Sequence, residues 1–248
     1  MGILNPVERG ILVHGHRGAR GMLPENTLPA FEYAISVGVD GIELDVAVSR
    51  DDVVVVRHDP KLKLRAIRDL TLAEIQSYDL GDAAHVPTLD QVLALAHRGQ
   101  FLFNIEIKSY AARPDLSPPP DHFAGLVFQA IRRQRLERRV IIQSFDFRML
   151  RAMRELAPEI RLGALYMGRP KSFAAIAHQA GTAIVAPHHA LVTARKVRAA
   201  HAAGLEVVTW TANSRPEWKR LIAAQVDAII TDRPGALVAY LRDRGLRQ

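Results

Sequence analysis

Short apolar runs of strand type alternate with longer runs of helical period along nearly the whole chain. Eight runs have the length and composition of buried strands, at residues 11–14, 41–48, 101–107, 140–144, 161–165, 183–186, 206–210 and 228–231. Helical spacing fills the intervals, at residues 26–37, 88–97, 121–133, 147–156, 171–179, 193–203, 215–224 and 234–242. Eight strands that are each followed by a helix predict an α/β protein, a closed (β/α)8 TIM barrel.

Turn-forming residues punctuate this alternation in agreement with the barrel interpretation. Gly38, Gly181 and Gly204 each stand between a helix and the next strand, where a left-handed C-terminal cap is expected. Asn26 stands where the first helix begins and is a plausible N-cap. The alternative is an open doubly wound sheet, but the glycines near the first strand do not have the G-x-G-x-x-G spacing of its phosphate turn.

Two segments interrupt the alternation. A turn and an extra extended run at 53–57 follow the second strand, and residues 59–87 then form an irregular insertion with one short helix near 72–78. A second, proline-rich segment at 109–120 follows the third strand. Long loops of this kind are usually functional, and both lie on the face where barrels keep their active sites. We expect residues 1–248 to form a single catalytic barrel domain with a small insertion at about 59–87.

Composition adds limits to this picture. Hydrophobic residues make up 48% of the 248-residue chain and charged residues 24%, which is typical of a globular domain. Lys and Arg (33) exceed Asp and Glu (26), an excess that favours anionic substrates or surfaces. The absence of cysteine excludes disulfides, Cys-based zinc sites and thiol catalysis. No apolar run is long enough for a membrane span and no secretory signal is visible, so we expect a cytoplasmic protein.

The densest basic stretch, at residues 132–139, coincides with the expected end of a surface helix. Cations are favourable at a helix C-terminus. The stretch has no interleaved aromatic residue of the kind that stacks on bases. We therefore interpret it as a solvated helix end and expect no nucleic-acid partner. For the assembly we expect a monomer or a homodimer.

Two acidic residues lie on one face of the second predicted strand. Side chains alternate along a strand, so Glu43 and Asp45 point the same way. Two carboxylates on one face of an apolar strand are costly to bury, and a divalent cation resolves this conflict, with oxygen ligands that suit Mg²⁺ or Ca²⁺. The alternatives are an exposed edge strand or pairing with Arg or Lys, but the flanking Ile42, Leu44 and Val46 favour a central strand.

The next barrel strand repeats this arrangement. Asn104, Glu106 and Lys108 share a face of that strand. Glu106 is a natural third oxygen ligand, and Lys108 is a natural partner for a phosphate oxygen. An ion pair between Glu106 and Lys108 without function is the alternative. Polar side chains at the C-terminal ends of two neighbouring strands favour a catalytic site, because barrel enzymes place their reacting groups there.

Histidines follow the first strand and end the extra extended run. His16 and Arg17 come directly after the first strand, and His58 ends the run at 53–57. Arg17 can bind a phosphate in a bidentate manner. A single histidine is more often structural, but two of them beside an arginine and a carboxylate cluster fit acid–base catalysis near neutral pH. His14 shares the face of His16, and we interpret it as a packing residue of the barrel interior with one satisfied hydrogen bond.

An ordered series of short motifs between residues 16 and 234 resembles the glycerophosphodiester phosphodiesterase family. Each motif alone is weak, but the ordered set is very specific. The series comprises His16-Arg17-Gly18, Pro24-Glu25-Asn26-Thr27, Ala30-Phe31, Glu43-Leu44-Asp45-Val46, His58-Asp59, Thr71-Leu72, Pro87-Thr88-Leu89, Glu106-Ile107-Lys108, Ser144-Phe145, Trp210-Thr211-Ala212-Asn213 and Thr231-Asp232-Arg233-Pro234.

The resemblance implies a metal-dependent hydrolase that converts glycerophosphodiesters, its small-molecule substrates, to an alcohol and sn-glycerol 3-phosphate. It implies one divalent cation, Mg²⁺ or Ca²⁺, as cofactor. The roles that it implies are an acid–base pair, His16 and His58; metal ligands, Glu43, Asp45 and Glu106; phosphate contacts, Arg17 and Lys108; and an aromatic wall of the substrate pocket, Trp210. Ordinary packing is the alternative for the tryptophan.

Some features depart from the family or stay open. The insertion after His58 is shorter than in many relatives and lacks their Leu-x-Arg-Thr-Thr stretch, so the preferred alcohol group is undetermined. A phospholipase D-type lyase that stops at a cyclic phosphate is one alternative, although those relatives carry disulfides. A non-catalytic barrel that binds phosphodiesters is another. The role of His188 and His189, which follow the sixth strand, is also left open.

Overall fold

The computed structural model describes residues 10–81, 84–110 and 112–247. Eight parallel strands form a closed barrel, because the first strand pairs with both the second and the last. This confirms the predicted (β/α)8 architecture. The barrel strands are β1 (Leu12–Gly15), β2 (Gly41–Val48), β6 (Leu102–Ile107), β7 (Val140–Ser144), β8 (Arg161–Tyr166), β9 (Ile184–Pro187), β10 (Glu206–Thr209) and β11 (Ala228–Thr231).

Helices connect the strands and form the outer layer. They are α1 (Leu28–Ser36), α2 (Leu72–Gln76), α3 (Leu89–Leu93), α4 (Pro120–Arg133), α5 (Phe147–Leu156), α6 (Phe173–Ala180), α7 (Ala194–Ala202), α8 (Arg215–Ala223) and α9 (Pro234–Arg242). The predicted helix at 88–97 is α3 followed by a 3-10 turn at Ala94–Arg98. Among the residues that the structure describes, no helix is long and apolar enough to cross a bilayer.

Local sequence explains where most helices begin and end. Thr71, Thr88 and Ser214 each form a capping box with the Glu or Gln three residues later. Gly181 has a left-handed φ of 62° at the C-cap of α6, as expected. The prediction for Asn26 is wrong, because the N-cap of α1 is Thr27, whose side chain accepts from the Ala30 N–H.

The insertion after the second strand packs as a small layer outside the barrel. Strand β3 (Val54–Val56) runs antiparallel to β2 and returns the chain to the barrel rim. A short hairpin of β4 (Lys61–Leu62) and β5 (Arg65–Ala66) follows, and then α2. Seven buried apolar residues of β2, β3 and the insertion form one cluster: Ala47, Val55, Leu62, Ile67, Leu70, Ile75 and Val86. The single-domain organisation of residues 1–248 stays a prediction.

The barrel interior is apolar on one side and polar on the other. The apolar side is a cluster of Ile141, Ile184, Val208, Ala228 and Ile230. On the polar side, the buried His14 ring contacts Asn104, with 3.4 Å between its Nδ1 and the amide nitrogen. Burial lowers the pKa of His14 to about 4, so the ring is neutral at physiological pH. This agrees with the interpretation of His14 as a packing residue with one hydrogen bond.

Candidate active site

Three carboxylates meet at the C-terminal rim of the barrel. Glu43 and Asp45 lie on β2, and Glu106 lies on β6 in direct register with Asp45. One oxygen from each of the three lies within 4.8 Å of the other two, and all three residues are buried. Strand alternation and parallel register therefore bring together the residues that the sequence singled out as metal ligands.

The three carboxylates are so close together and so deeply buried that they cannot all be ionised unless nearby positive charge offsets their repulsion. Burial raises the pKa of Glu43 well above its usual range, and the charges of Asp45 and Glu106 add to this effect. Burial and the charge of Asp45 raise the pKa of Glu106 to about 8. Three carboxylate oxygens form a donor set that suits a hard divalent cation, and such a cation would favour the ionised forms of Glu43 and Glu106.

Two cations are already bound to this cluster. Lys108 Nζ lies 2.7 Å from Glu106 Oε1 and 3.2 Å from Asp45 Oδ1, and Arg17 Nε lies 3.1 Å from Asp45 Oδ2. Burial alone would raise the pKa of Asp45, but Lys108 and Arg17 outweigh it and hold that pKa at about 2. Asp45 is therefore the permanently charged member of the cluster.

Backbone geometry presents Arg17 to the cluster. Arg17 has a left-handed φ of 49°, and its N–H donates to Glu43 Oε2 at 3.0 Å. Its guanidinium nitrogen Nη1 donates to both oxygens of Glu25 at 2.9 Å. Gly18 follows with a φ of 84°, and a Cβ there would lie 2.6 Å from the Ala30 carbonyl carbon. Only glycine fits this turn, because both the backbone angle and the space exclude a side chain.

His16 is oriented by a carboxylate from the last strand. Its Nδ1 lies 2.5 Å from Asp232 Oδ1, and its Nε2 lies 3.9 Å from Glu43 Oε2. Asn213 holds this carboxylate in turn, since its amide donates to Asp232 Oδ2 at 2.7 Å and its Oδ1 accepts from the Asp232 N–H at 2.8 Å. A carboxylate at Nδ1 selects the tautomer that carries its proton there, so the lone pair on Nε2 faces the cluster.

His58 enters the site from β3 with a similar arrangement. Its Nδ1 lies 2.8 Å from Asp59 Oδ1, and the Tyr110 hydroxyl donates to its backbone carbonyl at 3.3 Å. About a third of its side chain is exposed (33%), compared with 11% for His16. Burial lowers the pKa of His58 below its usual range, and the charge of Lys108 acts in the same direction against that of Asp45.

A pocket of about 220 Å³ opens beside the cluster, between the ends of β6 and β7. Its lining includes His58, Glu106, Lys108, Tyr110 and Phe145. The lining therefore combines charged side chains with two aromatic rings. A small polar substrate can therefore reach both His58 and Lys108 from the same space.

Trp210 stands at the mouth of the barrel, half-buried. Its indole N–H donates to the Ala186 carbonyl at 2.8 Å, and its ring makes edge contacts with Phe145 at 5.5 Å and His188 at 5.2 Å between centroids. His188 therefore belongs to this aromatic group. The neighbouring His189 contacts both the His188 ring, at 4.5 Å between centroids, and Arg220, whose Nη2 lies 3.3 Å from His189 Nδ1. A pocket-wall role for Trp210 stays a prediction.

Sequence reasoning missed several residues that shape the site. The Asn26 amide donates to Asp45 Oδ2 at 2.9 Å, and the Gln143 amide donates to Glu43 Oε1 at 3.3 Å. Asp232 and Asn213 orient His16 as described above. Three of these four occur in the motif series, but no local pattern assigned them a role in the site. Their contacts join elements that are distant in sequence.

Comparisons with known proteins agree with this geometry. Residues 16–236 match the sequence model of the glycerophosphoryl diester phosphodiesterase family. The chain is 33% identical over 247 residues to the glycerophosphodiester phosphodiesterase of Caldanaerobacter subterraneus subsp. tengcongensis, which covers 94% of this chain and 99% of that protein.

Solved structures share the fold over nearly its whole length. A structure from Silicibacter pomeroyi is 29% identical, with a TM-score of 0.90 and coverage of 97% of this chain and 96% of that one. A phosphodiesterase from Oleispira antarctica, solved in complex with the product sn-glycerol 3-phosphate, is 22% identical, with a TM-score of 0.86 and coverage of 96% and 99%. At that identity the second likeness concerns the fold alone.

Proposed function

Because this chain belongs to the glycerophosphoryl diester phosphodiesterase family, we propose that it hydrolyses glycerophosphodiesters by two-histidine acid–base catalysis. The products are an alcohol and sn-glycerol 3-phosphate, the compound bound by the phosphodiesterase from Oleispira antarctica. The observation that carries the proposal is that two carboxylate-anchored histidines, His16 and His58, accompany a buried group of three carboxylates.

The proposed cofactor is one Mg²⁺ or Ca²⁺ ion held by Glu43, Asp45 and Glu106. The donor chemistry supports this assignment, since hard cations prefer carboxylate oxygens. When bound, the ion would offset the negative charge on the phosphate oxygens of the substrate. Arg17 and Lys108 are assigned to the same phosphate, because both carry their charge to this rim of the barrel.

His16 is proposed as the base that takes the proton from the 2-hydroxyl of the glycerol group. Its Nδ1–Asp232 hydrogen bond leaves Nε2 free to accept a proton and stabilises the imidazolium that results. The 2-oxygen then attacks phosphorus and forms a new O–P bond. Asn213 keeps Asp232 in place, so the ring stays aligned through the proton transfer.

His58 is proposed as the acid that protonates the departing alcohol. It lines the 220 Å³ pocket and is the more exposed of the two rings, which suits contact with a variable leaving group. The P–O bond to the alcohol breaks as His58 gives up its proton, and a five-membered cyclic phosphate forms. In the second half, His58 takes a proton from water and the water oxygen bonds to phosphorus. The bond between phosphorus and the 2-oxygen breaks as His16 returns its proton to that oxygen.

A substrate panel tests the proposal. Purified protein with Mg²⁺ or Ca²⁺ should release glycerol 3-phosphate from glycerophosphocholine, glycerophosphoethanolamine or glycerophosphoglycerol, and a chelator should abolish the release. His16→Ala and His58→Ala should each lose turnover and keep the fold, whereas His178→Ala, on the exposed side of α6, should retain activity. Failure with all three substrates and both metals would overturn the proposal.

Phosphorus NMR of the same reactions separates hydrolase from lyase. The proposed route predicts glycerol 3-phosphate as the final product, with the cyclic phosphate consumed by His58-assisted attack of water. A cyclic phosphate that accumulates without conversion would instead indicate a lyase of the phospholipase D type. The two outcomes differ in the chemical shift of the dominant product.

A further inference from the structure

Large apolar side chains are exposed around the mouth of the barrel. Leu64 is 92% exposed and Met167 is 64% exposed, and Met22 and Phe145 are exposed as well. Met22 lies in the loop after β1, while Phe145 and Met167 directly follow β7 and β8. The loops that carry Met22, Phe145 and Met167 extend from the C-terminal ends of barrel strands, which is the end where the carboxylate cluster lies, and Leu64 belongs to the insertion that follows His58. Among the described residues, these four of the six exposed large apolar side chains make this face the candidate interaction surface.

Leu64 forms the tip of the β4–β5 hairpin, close to the site. The hairpin starts two residues after Asp59, and it is closed at its base by the Ile67 N–H, which donates to the Pro60 carbonyl at 2.9 Å. Lys63 and Arg65 flank Leu64 at the tip, and Lys61 lies on the same hairpin. Both lysines are exposed. The hairpin therefore presents one apolar side chain between cations.

The loop after β8, residues 167–171, repeats this combination on another part of the rim. Met167 is followed by Arg169 and Lys171, and both cations are exposed. The Tyr166 hydroxyl donates to the Arg169 carbonyl at 2.5 Å, and Lys171 Nζ lies 6.0 Å from the centre of the Tyr166 ring. These contacts hold the loop in a compact form, with its apolar and basic side chains directed outward.

Charge around this second loop has one sign. Residues 160–205 contain six Lys and Arg residues and no Asp or Glu. Behind the loop, a groove of about 390 Å³ between α6 and α7 combines the apolar Pro170 and Phe173 with the cations Lys171, Arg195 and Lys196. On the loop after β7, the carboxylate of Asp146 is paired with Arg148.

We infer that the catalytic face docks on the surface of an anionic lipid bilayer. Leu64 and Met167 enter the boundary between headgroups and acyl chains, and Lys63, Arg169 and Lys171 contact the lipid phosphates. Charge complementarity selects this occupant. A second copy of the chain would bring the same positive loops to the contact and would be repelled. The inference goes beyond the proposed function, because binding to lipid does not depend on turnover.

Vesicle flotation tests the inference, with phosphatidylcholine vesicles that contain or lack phosphatidylglycerol. The protein should float with the anionic vesicles, less so as salt increases, and not with neutral ones. The triple variant Lys63→Gln, Arg169→Gln, Lys171→Gln should bind about 100-fold more weakly, since each cation near an anionic surface contributes about fivefold. The double variant Leu64→Ser, Met167→Ser should lose roughly tenfold or more.

Matched variants at the opposite end of the barrel serve as controls. Arg132→Gln, Arg135→Gln, Arg138→Gln removes the same charge before β7, and Leu156→Ser, Leu246→Ser removes two other exposed apolar side chains. These controls should bind anionic vesicles like the unmodified protein. Equal losses in test and control variants, or no binding to anionic vesicles at low salt, would overturn the inference.

Sedimentation velocity and turnover of a soluble glycerophosphodiester complete the test. The rim variants should keep their activity on the soluble substrate, because none of the substituted residues belongs to the proposed site. A dimer that Leu64→Ser, Met167→Ser dissociates, in a protein that does not bind vesicles, would overturn the inference in favour of a second copy. If the unmodified protein binds anionic vesicles but does not hydrolyse the soluble substrate, that result counts against the proposed function alone.

Discussion

Cation binding at the carboxylate cluster should depend steeply on pH. In the metal-free protein, burial and the charge of Asp45 raise the pKa of Glu106 to about 8. The cation binds the ionised carboxylate, so below pH 8 it must displace a proton. The ionised fraction of a group with this pKa is about 1% at pH 6 and about one half at pH 8. The apparent affinity for Mg²⁺ or Ca²⁺ should therefore increase about 50-fold over this interval.

Isothermal titration calorimetry measures both parts of this prediction. Dissociation constants between pH 6 and 9 give the slope of the logarithm of affinity against pH. Buffers with different ionisation enthalpies give the number of protons released. At least one proton should be released per cation at pH 6. Glu43 adds to the release, because burial also raises its pKa well above the usual range. An affinity that stays constant between pH 6 and 8, with no proton release, would refute the reasoning.

Two variants identify the carboxyl group that releases the proton when the cation binds. Glu106→Gln removes the titrating carboxyl, so the slope should decrease by about one proton and the affinity at pH 9 should decrease as well. Asp115→Asn removes an exposed carboxylate that pairs with Arg113 in the loop after β6. The slope of this second variant should equal that of the unmodified protein. Equal slopes in all three proteins would mean that Glu106 does not titrate on binding.

Three further predictions concern positioning, the turn beside the site and the fold. Asp232→Asn should lower kcat by about 10³-fold or more with little change in KM, because His16 loses its orienting carboxylate; steady-state kinetics check this, and a change in KM alone would contradict it. Gly18→Ala should lower the free energy of unfolding by about 3 kcal/mol, because the backbone has a left-handed φ there and the added Cβ would overlap Ala30. Urea denaturation measures this free energy. Arg139→Met should cost about 2 kcal/mol in the same assay, since the arginine side chain donates to backbone carbonyls of the α3–β6 connection.

The repeating part of the fold could be predicted because its signals are local. Each strand is a short apolar run, and each helix has its own period and caps, so neighbouring residues are enough to define them. The same holds for Glu43 and Asp45, which share a face through strand alternation alone. Their partner Glu106 follows from the order of barrel strands, which places β2 beside β6.

Residues whose roles depend on closure of the barrel could not be predicted. Asp232 reaches His16 only because β11 pairs with β1, which joins positions 216 residues apart. Asn26 stands directly before a helix, where asparagine commonly caps. Its left-handed φ of 58° instead turns the side chain inward to the carboxylate of Asp45. Local propensity was overruled by a contact that only the assembled rim provides.

Charge balance at the cluster suits a monoanionic phosphodiester better than a phosphomonoester. Glu43, Asp45 and Glu106 carry three negative charges when ionised, and Arg17 and Lys108 supply two positive ones. The deficit of one positive charge is consistent with the raised pKa values of two carboxyls. A divalent cation would turn this deficit into an excess of one positive charge, which a monoanionic phosphodiester neutralises. The phosphomonoester product is close to a dianion at neutral pH and overcompensates, so the electrostatics that favour substrate binding also favour product release.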